Sequence, residues 1–191
     1  MIRFPLILLV STLFLNPLVS CATAQQLSNE ETKRLLWITE EEKLASDVYH
    51  YLYDIWALKA FSNITASESQ HQLAMQELLS RYSLSDPRKD VLGQFSNPDL
   101  QQLYDDLIAQ GSESLEQALY VGAMIEELDI VDLQKATNLS SREDIRQVYE
   151  QLIQGSVNHL QAFMRQIEMR GFSYTPQYLD LESFKSFLVT R

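Results

Sequence analysis

The chain has 191 residues, a formal net charge of −11, five glycines, five prolines, three histidines and one cysteine. That length suits one domain with a sizeable core. The acid excess excludes a nucleic-acid phosphate binder, which needs clustered Lys and Arg. A single cysteine excludes an intrachain disulfide, so stability has to come from the core or from a metal.

The chain opens with Arg3, continues as an apolar stretch shorter than a full membrane span, and reaches Leu18-Val19-Ser20-Cys21. This pattern marks residues 1–20 as an export signal rather than a membrane helix. Leu18 to Cys21 also resembles the bacterial lipobox. That resemblance implies cleavage before Cys21 and lipid on its thiol, which would anchor the protein to a membrane. The sole cysteine stands at that position. The competing cut follows Ala22-Thr23-Ala24 and would release a soluble secreted or periplasmic protein. Either cut places the protein outside the cytoplasm, facing the periplasm or the cell exterior. Arg3 is the signal's one charge, so the remainder carries about −12, which suits a solvated acidic surface that attracts cations.

Residues 21–35 form the lipidated cysteine and a polar tether running into the first helix. Ser28-x-x-Glu31 reads as a capping box, and the helix it opens runs to about Leu58. Its inward stripe is Ile38, Ala45, Val48, Tyr49, Leu52, Ile55 and Trp56. Ser62 or Thr65 caps a second helix that ends near Tyr82. Residues 83–97 are a Pro- and Gly-marked connection. Asn97-Pro98 then starts an extra helix ending at Gly111. A third long helix follows Ser112 and reaches about Ala136. Ser140-x-x-Glu143 offers a second capping box for a fourth long helix, stopped by Gly171. The tail from Phe172 wraps the bundle and ends in a short helical turn, with 179–191 lying beyond the domain proper of 36–178. Scarce Gly and Pro and no alternating β-branched run predict an all-α fold. Four long helices with a lengthened connection between the second and third make the ferritin-like variant of the four-helix bundle.

Acids and histidines fall on the inward stripes. Glu68-Ser69-Gln70-His71 places a carboxylate and an imidazole on one face of the second helix. Four-helix carboxylate-bridged metal proteins are built from this element. On the first helix Glu42 lies along the stripe of Ala45, Tyr49 and Leu52, while Glu41, ~100° away, can share a face with Ala45 and Val48. Glu40 reads as solvated. A carboxylate on a core stripe is costly unless a metal or cation neutralises it. On the third long helix Glu126 is the chosen ligand, and Asp129, at i+3, is an additional ligand or a hydrogen-bond acceptor behind one. Glu127 and Asp132 fall further round on a face read as acidic and partly solvated. Gly122 permits a close approach. On the fourth helix His159 shares a stripe with Leu152, Ser156 and Phe163, whereas His50 on the first reads as surface. Glu42, Glu68, His71, Glu126 and His159 therefore form an inward set with a contribution from each long helix. Mixed carboxylate and imidazole ligands suit iron or manganese, with zinc an option. Tyr49 is read as core packing or as a hydrogen-bond partner of a ligand carboxylate.

Five stretches, "EEEKLASDVY", "FSNITASESQH", "GAMIEELDIVDL", "GSVNHLQAF" and "YTPQYL", resemble the DUF2202 family of ferritin-like proteins over residues 36–178. The family is distantly similar to rubrerythrin and other di-iron carboxylate proteins. The resemblance implies a ferritin-like bundle, a di-iron or di-manganese centre, peroxide or dioxygen reduction or ferrous iron oxidation, and a homodimer. The spacing of Glu42, Ala45 and Tyr49 is similar to that of rubrerythrin-like first helices, which favours Glu42 over Glu41. One departure stands out: Ser156 occupies the position three before His159 where a full di-iron site has Glu. The alternative is a non-catalytic envelope lipoprotein that binds metal or a protein partner through its bundle.

Overall fold

The computed structural model describes residues 26–189; the export signal, Cys21 and the cut after Ala24 lie outside the described residues. Within them are six helices and no strand: α1 (Asn29–Trp56), α2 (Lys59–Arg81), α3 (Pro98–Gly111), α4 (Leu115–Leu139), α5 (Glu143–Met169) and α6 (Leu181–Leu188). The capping box at Ser28 forms as the sequence predicts. The Glu31 N–H donates to Ser28 Oγ at 3.1 Å and the Ser28 N–H donates to Glu31 Oε2 at 2.9 Å. At its far end α1 stops on Ala57, which adopts the left-handed conformation at φ 49°. Only Ala57 and Leu58 separate α1 from α2, so the two helices pack as antiparallel neighbours.

Two predicted caps are replaced. α2 begins at Lys59, and Ser62 and Thr65 lie inside it with their hydroxyls bonded to the Lys59 and Phe61 carbonyls. Ser140 does not cap α5. Its Oγ instead donates to Glu31 Oε1 at 3.2 Å and accepts from the Arg142 N–H at 3.1 Å. Glu31 also accepts from the Ser141 N–H at 2.9 Å, so one carboxylate ties the start of α1 to the α4–α5 connection. α3 starts at Asn97-Pro98 and ends at Gly111 as predicted, with the Asn97 side chain accepting from the Asp99 N–H.

The four long helices form a square in which α1 touches α2 and α4, and α5 touches α2 and α4. α3, inserted in the connection between α2 and α4, lies against α1 and α4, and α6 lies on α5. The buried apolar residues fall into two clusters rather than one. The larger includes Ala45, Tyr49, Phe61, Ile64, Ala123, Leu160 and Phe163. The smaller includes Ile38, Met75, Leu78, Leu133, Tyr149 and Leu152. On α1 and α2 a polar segment separates the residues of one cluster from those of the other, with Glu41 and Glu42 on α1 and Glu68 and His71 on α2. On α5 Ser156 falls at the changeover and His159 just beyond it, and on α4 Asp129 stands just before it; all of these are buried.

Periodicity misplaced the outer faces. Ile55, assigned to the stripe, is 43% exposed. Trp56 is half-buried, and its indole N–H donates to the Gly111 carbonyl at 2.9 Å. Glu40, read as solvated, is buried and accepts from the Ser96 and Asn97 N–H groups, which holds the 83–97 connection against α1. Glu127 is buried too. It accepts from the Tyr174 hydroxyl at 2.7 Å and from the Gln177, Tyr178 and Leu179 N–H groups at 2.9 Å each. That carboxylate fixes the strap after α5 across α4. Asp132 is also buried and pairs with Lys135 at 2.8 Å.

Candidate metal centre

The polar layer brings together the residues singled out in the sequence. Glu42, Glu68 and His71 each place a ligand atom within 4.8 Å of the others, and so do Glu68, Glu126 and His159. Glu68 belongs to both triads and lies between them. Its Oε2 is 3.0 Å from His71 Nδ1, and its Oε1 is 2.8 Å from His159 Nδ1. His71 Nδ1 is also 3.1 Å from Glu42 Oε2, and His159 Nδ1 is 3.5 Å from Glu126 Oε2. The i, i+3 spacing of Glu68 and His71 puts both on one face, as one helical turn requires.

Of these contacts His71 with Glu42 is a hydrogen bond, and the others are short but misaligned. Neither Glu68 oxygen, nor Glu126 Oε2, nor His159 Nδ1 has a hydrogen-bond partner of acceptable geometry, although all are sealed from solvent. Asp129 has both carboxylate oxygens buried and unpartnered as well. Buried polar atoms are normally paired, and each one left over costs about 1–3 kcal/mol, more when charged. Donor atoms that crowd together with so few bonds among them could hold a metal ion.

Electrostatics agree. His71 is pushed up to about 11: burial opposes its charged form, but Glu42 and Glu68 outweigh it. His159 is pushed up to about 10, with burial again outweighed by Glu126 and Glu68. Burial, and then the neighbouring carboxylates, push Asp129 well above the usual carboxylate range. Glu126 is raised chiefly by burial, against the pull of His159. In short, the layer holds more negative charge than it can neutralise, and it draws in protons. When ionised, Glu42, Glu68, Glu126 and Asp129 match the charge of two divalent cations beside neutral imidazoles.

Supporting residues complete the centre. Tyr49 is fully buried, and its hydroxyl donates to Glu126 Oε1 at 2.5 Å, which leaves Oε2 facing His159. Its ring packs on Phe61 and Phe163, so Tyr49 both packs in the core and bonds the Glu126 carboxylate. Gly122 does allow a close approach, but by Phe163: a Cβ there would lie 2.5 Å from the ring. Ser156 is buried with its hydroxyl donating to the Leu152 carbonyl at 3.2 Å, within its own helix and without adding a carboxylate. His50 is exposed, as predicted, with Asp54 beside it.

Two residues escaped sequence reasoning. Ser67 Oγ lies 2.9 Å from His159 Nε2 and anchors the far side of that ring, so Nδ1 faces the carboxylates. Gly155 makes room for His71: a Cβ there would stand 2.2 Å from His71 Nε2. Ser67 sits one residue before Glu68, and Gly155 four before His159, so helical spacing from each histidine-bearing motif was the available signal.

A match to the family described as "Uncharacterized protein domain (DUF2202)" covers residues 31–190. The chain belongs to the DUF2202 family. It is 46% identical over 171 residues to the uncharacterized protein MJ0754 of Methanocaldococcus jannaschii, covering 89% of this chain and 92% of that protein. The crystal structure of hypothetical protein MJ0754 from Methanococcus jannaschii DSM 2661 superimposes with a TM-score of 0.85 at 45% identity. The superposition covers 87% of this chain and 96% of that one. The DUF2202 match begins inside α1 and includes α6, so the strap and last helix fall within the family's extent.

Proposed function

We propose that this DUF2202 protein is a ferritin-like binder of two transition-metal ions, iron first and manganese or zinc as alternatives. One observation carries the reading: two buried carboxylate–imidazole triads share Glu68, and both Glu68 oxygens, Glu126 Oε2 and His159 Nδ1 have no hydrogen-bond partner. Glu42 and His71 would hold one ion, Glu126 and His159 the other, and Glu68 would bridge. Asp129 supplies a further carboxylate close by, in the role that Ser156 cannot fill. Bound there, the metals would supply redox chemistry and Lewis acidity toward peroxide, dioxygen or ferrous iron.

The protein's own groups prepare that chemistry. Tyr49 holds Glu126 in one orientation through its short hydrogen bond. Ser67 fixes the His159 ring. Tyr49, Phe61 and Phe163 close one side of the centre with packed rings, which keeps water from that face. Residues 1–21 support placing the centre in the cell envelope, anchored through lipid on Cys21.

The test is metal content and stability together. Purified protein stripped with EDTA and reloaded anaerobically with Fe(II) or Mn(II) is expected to take up two ions per chain. Loading at 100-fold the Kd adds about 2.7 kcal/mol per site, which raises Tm by ~10 °C or more for a domain of this size. Unchanged Tm and no stoichiometric metal would refute the reading. A featureless visible spectrum after peroxide addition to the iron-loaded protein would leave binding without oxygen chemistry, the second reading that the missing carboxylate at Ser156 favours.

A further inference from the structure

Of the side chains in the polar layer, the two histidines come closest to solvent. Glu41, Glu42, Glu68, Glu126, Asp129 and Ser156 are no more than 2% exposed, whereas His71 and His159 are 8% and 7% exposed. Both rings lie at the seam between α2 and α5, where they stack with centroids 5.4 Å apart. Half-buried Ser67 and Gly155 flank them there. The rings are held differently. His159 is tied at its outer edge, with Nε2 2.9 Å from Ser67 Oγ. His71 is bonded through Nδ1 to Glu42, while its Nε2 points at Gly155, where a Cβ would stand only 2.2 Å away. Among the described residues no group bonds that nitrogen. The seam also differs from the rest of the chain in charge. Charged residues make up 21% of the chain, yet residues 60–76 of α2 contain Glu68 as their one Asp, Glu, Lys or Arg, and residues 151–164 of α5 contain none.

We propose that the α2–α5 seam at Gly155 is the entrance through which a small uncharged oxidant, of the peroxide or dioxygen class, reaches the centre, with His71 as its movable wall. The inference rests on the two-metal reading above. Exposure is the first argument: the carboxylates are covered, so the shortest way in from solvent passes the histidine rings. Packing is the second. Gly155 places no side chain over the outer edge of His71, so rotation of one imidazole opens the layer without displacing a helix. His159 is not free to move in the same way, because Ser67 holds its outer nitrogen. Charge is the third. An anion is repelled by a chain of net charge −11, and a cation meets no surface carboxylate on these two stretches to collect it. A neutral molecule needs neither. Ser67, Gln70 and Asn158 offer hydroxyl and amide groups, which exchange water for another neutral hydrogen-bonding molecule at little net cost.

The probe is nitric oxide, an uncharged diatomic whose binding to ferrous iron is read by visible absorption. Protein loaded anaerobically with Fe(II) is mixed with nitric oxide by stopped flow, and iron content and Tm are measured on the same samples. Gln70 lies three residues after Ser67, and Asn158 three after Gly155, so each shares the seam face of its helix. Both are exposed. Gln70→Trp and Asn158→Trp are expected to keep the parent's iron content and Tm but to bind nitric oxide several-fold more slowly. Two variants on different helices keep the test open should one of them disturb folding. Gln134→Trp, at an exposed position on α4, which does not touch α2, is expected to bind at the parent rate. Slower binding by either seam variant with its iron intact supports the entrance. Parent-like rates in both would overturn it while leaving the two-metal centre standing, and so would an iron-loaded parent that takes up no nitric oxide. A parent that retains no iron would overturn the metal centre itself.

Discussion

Replacing Gly155 with Ala tests the centre through a single methyl group. The added Cβ would lie 2.2 Å from His71 Nε2 and 2.6 Å from Cε1. Ordinary carbon contacts begin near 3.5 Å, so the ring must retreat by about 1 Å. It cannot do so freely, because Nδ1 on its other side sits 3.1 Å from Glu42 and 3.0 Å from Glu68. Overpacking a core costs ~1–3 kcal/mol, while Ala in place of a helical Gly returns ~1 kcal/mol. The metal-free protein should therefore lose no more than ~2 kcal/mol and stay folded. Metal binding should suffer more, since displaced support around a ligand typically lowers affinity by ~10–100-fold. Equilibrium dialysis against Mn(II) or Fe(II) is expected to find one tight ion, held by Glu68, Glu126 and His159, and one weak or absent ion. Two ions bound at parent affinity would refute the assignment of His71 as a ligand held in place by the α2–α5 contact.

Three further outcomes follow from other parts of the molecule. Glu31 is held down to about 2: burial opposes this, but the Ser28 and Ser141 N–H groups outweigh it. Its stabilisation is present above the unfolded pKa near 4.5 and is lost as pH falls through 2, so Glu31→Gln should cost about 2–3 kcal/mol at pH 7. Urea titrations of parent and variant should converge by pH 2. In the metal-free protein, His71 and His159 are raised, so their contribution is complete below the unfolded value near 6.5 and fades as pH climbs toward 10–11. The raised carboxylates Glu41 and Asp129 add a cost above their unfolded range. Tm with EDTA should thus fall from pH 6 to pH 9, and metal loading should reverse that slope because the ions replace protons; an unchanged slope would contradict the charge accounting. Glu127→Ala frees four donors from the strap, at ~3 kcal/mol. Limited proteolysis should then cut near residues 172–180 while two metals remain bound.

Much of this protein follows from local sequence alone. The helix count, the capping box at Ser28, the Asn97-Pro98 start of α3 and the inward direction of Glu42, Glu68, His71, Glu126 and His159 are properties of a few adjacent residues. A 3.6-residue period is enough to show them. What covers a helix from outside is not local. Glu40 and Glu127 look like solvated acids in their own helices, yet residues 96–97 and 177–179, which are remote in sequence, supply the N–H groups that bury them. The apolar residue Ile55 errs the opposite way, with 43% of its surface exposed. Most of all, the register between helices decided the centre. Periodicity could say that these five acids and histidines faced inward, but only packing set them at one depth. There Glu68 is shared by two triads, Gly155 yields its space to His71, and Glu41 is left without a partner. Helical phase is written into each segment by backbone geometry, whereas the relative height of four helices is settled by how their side chains interlock.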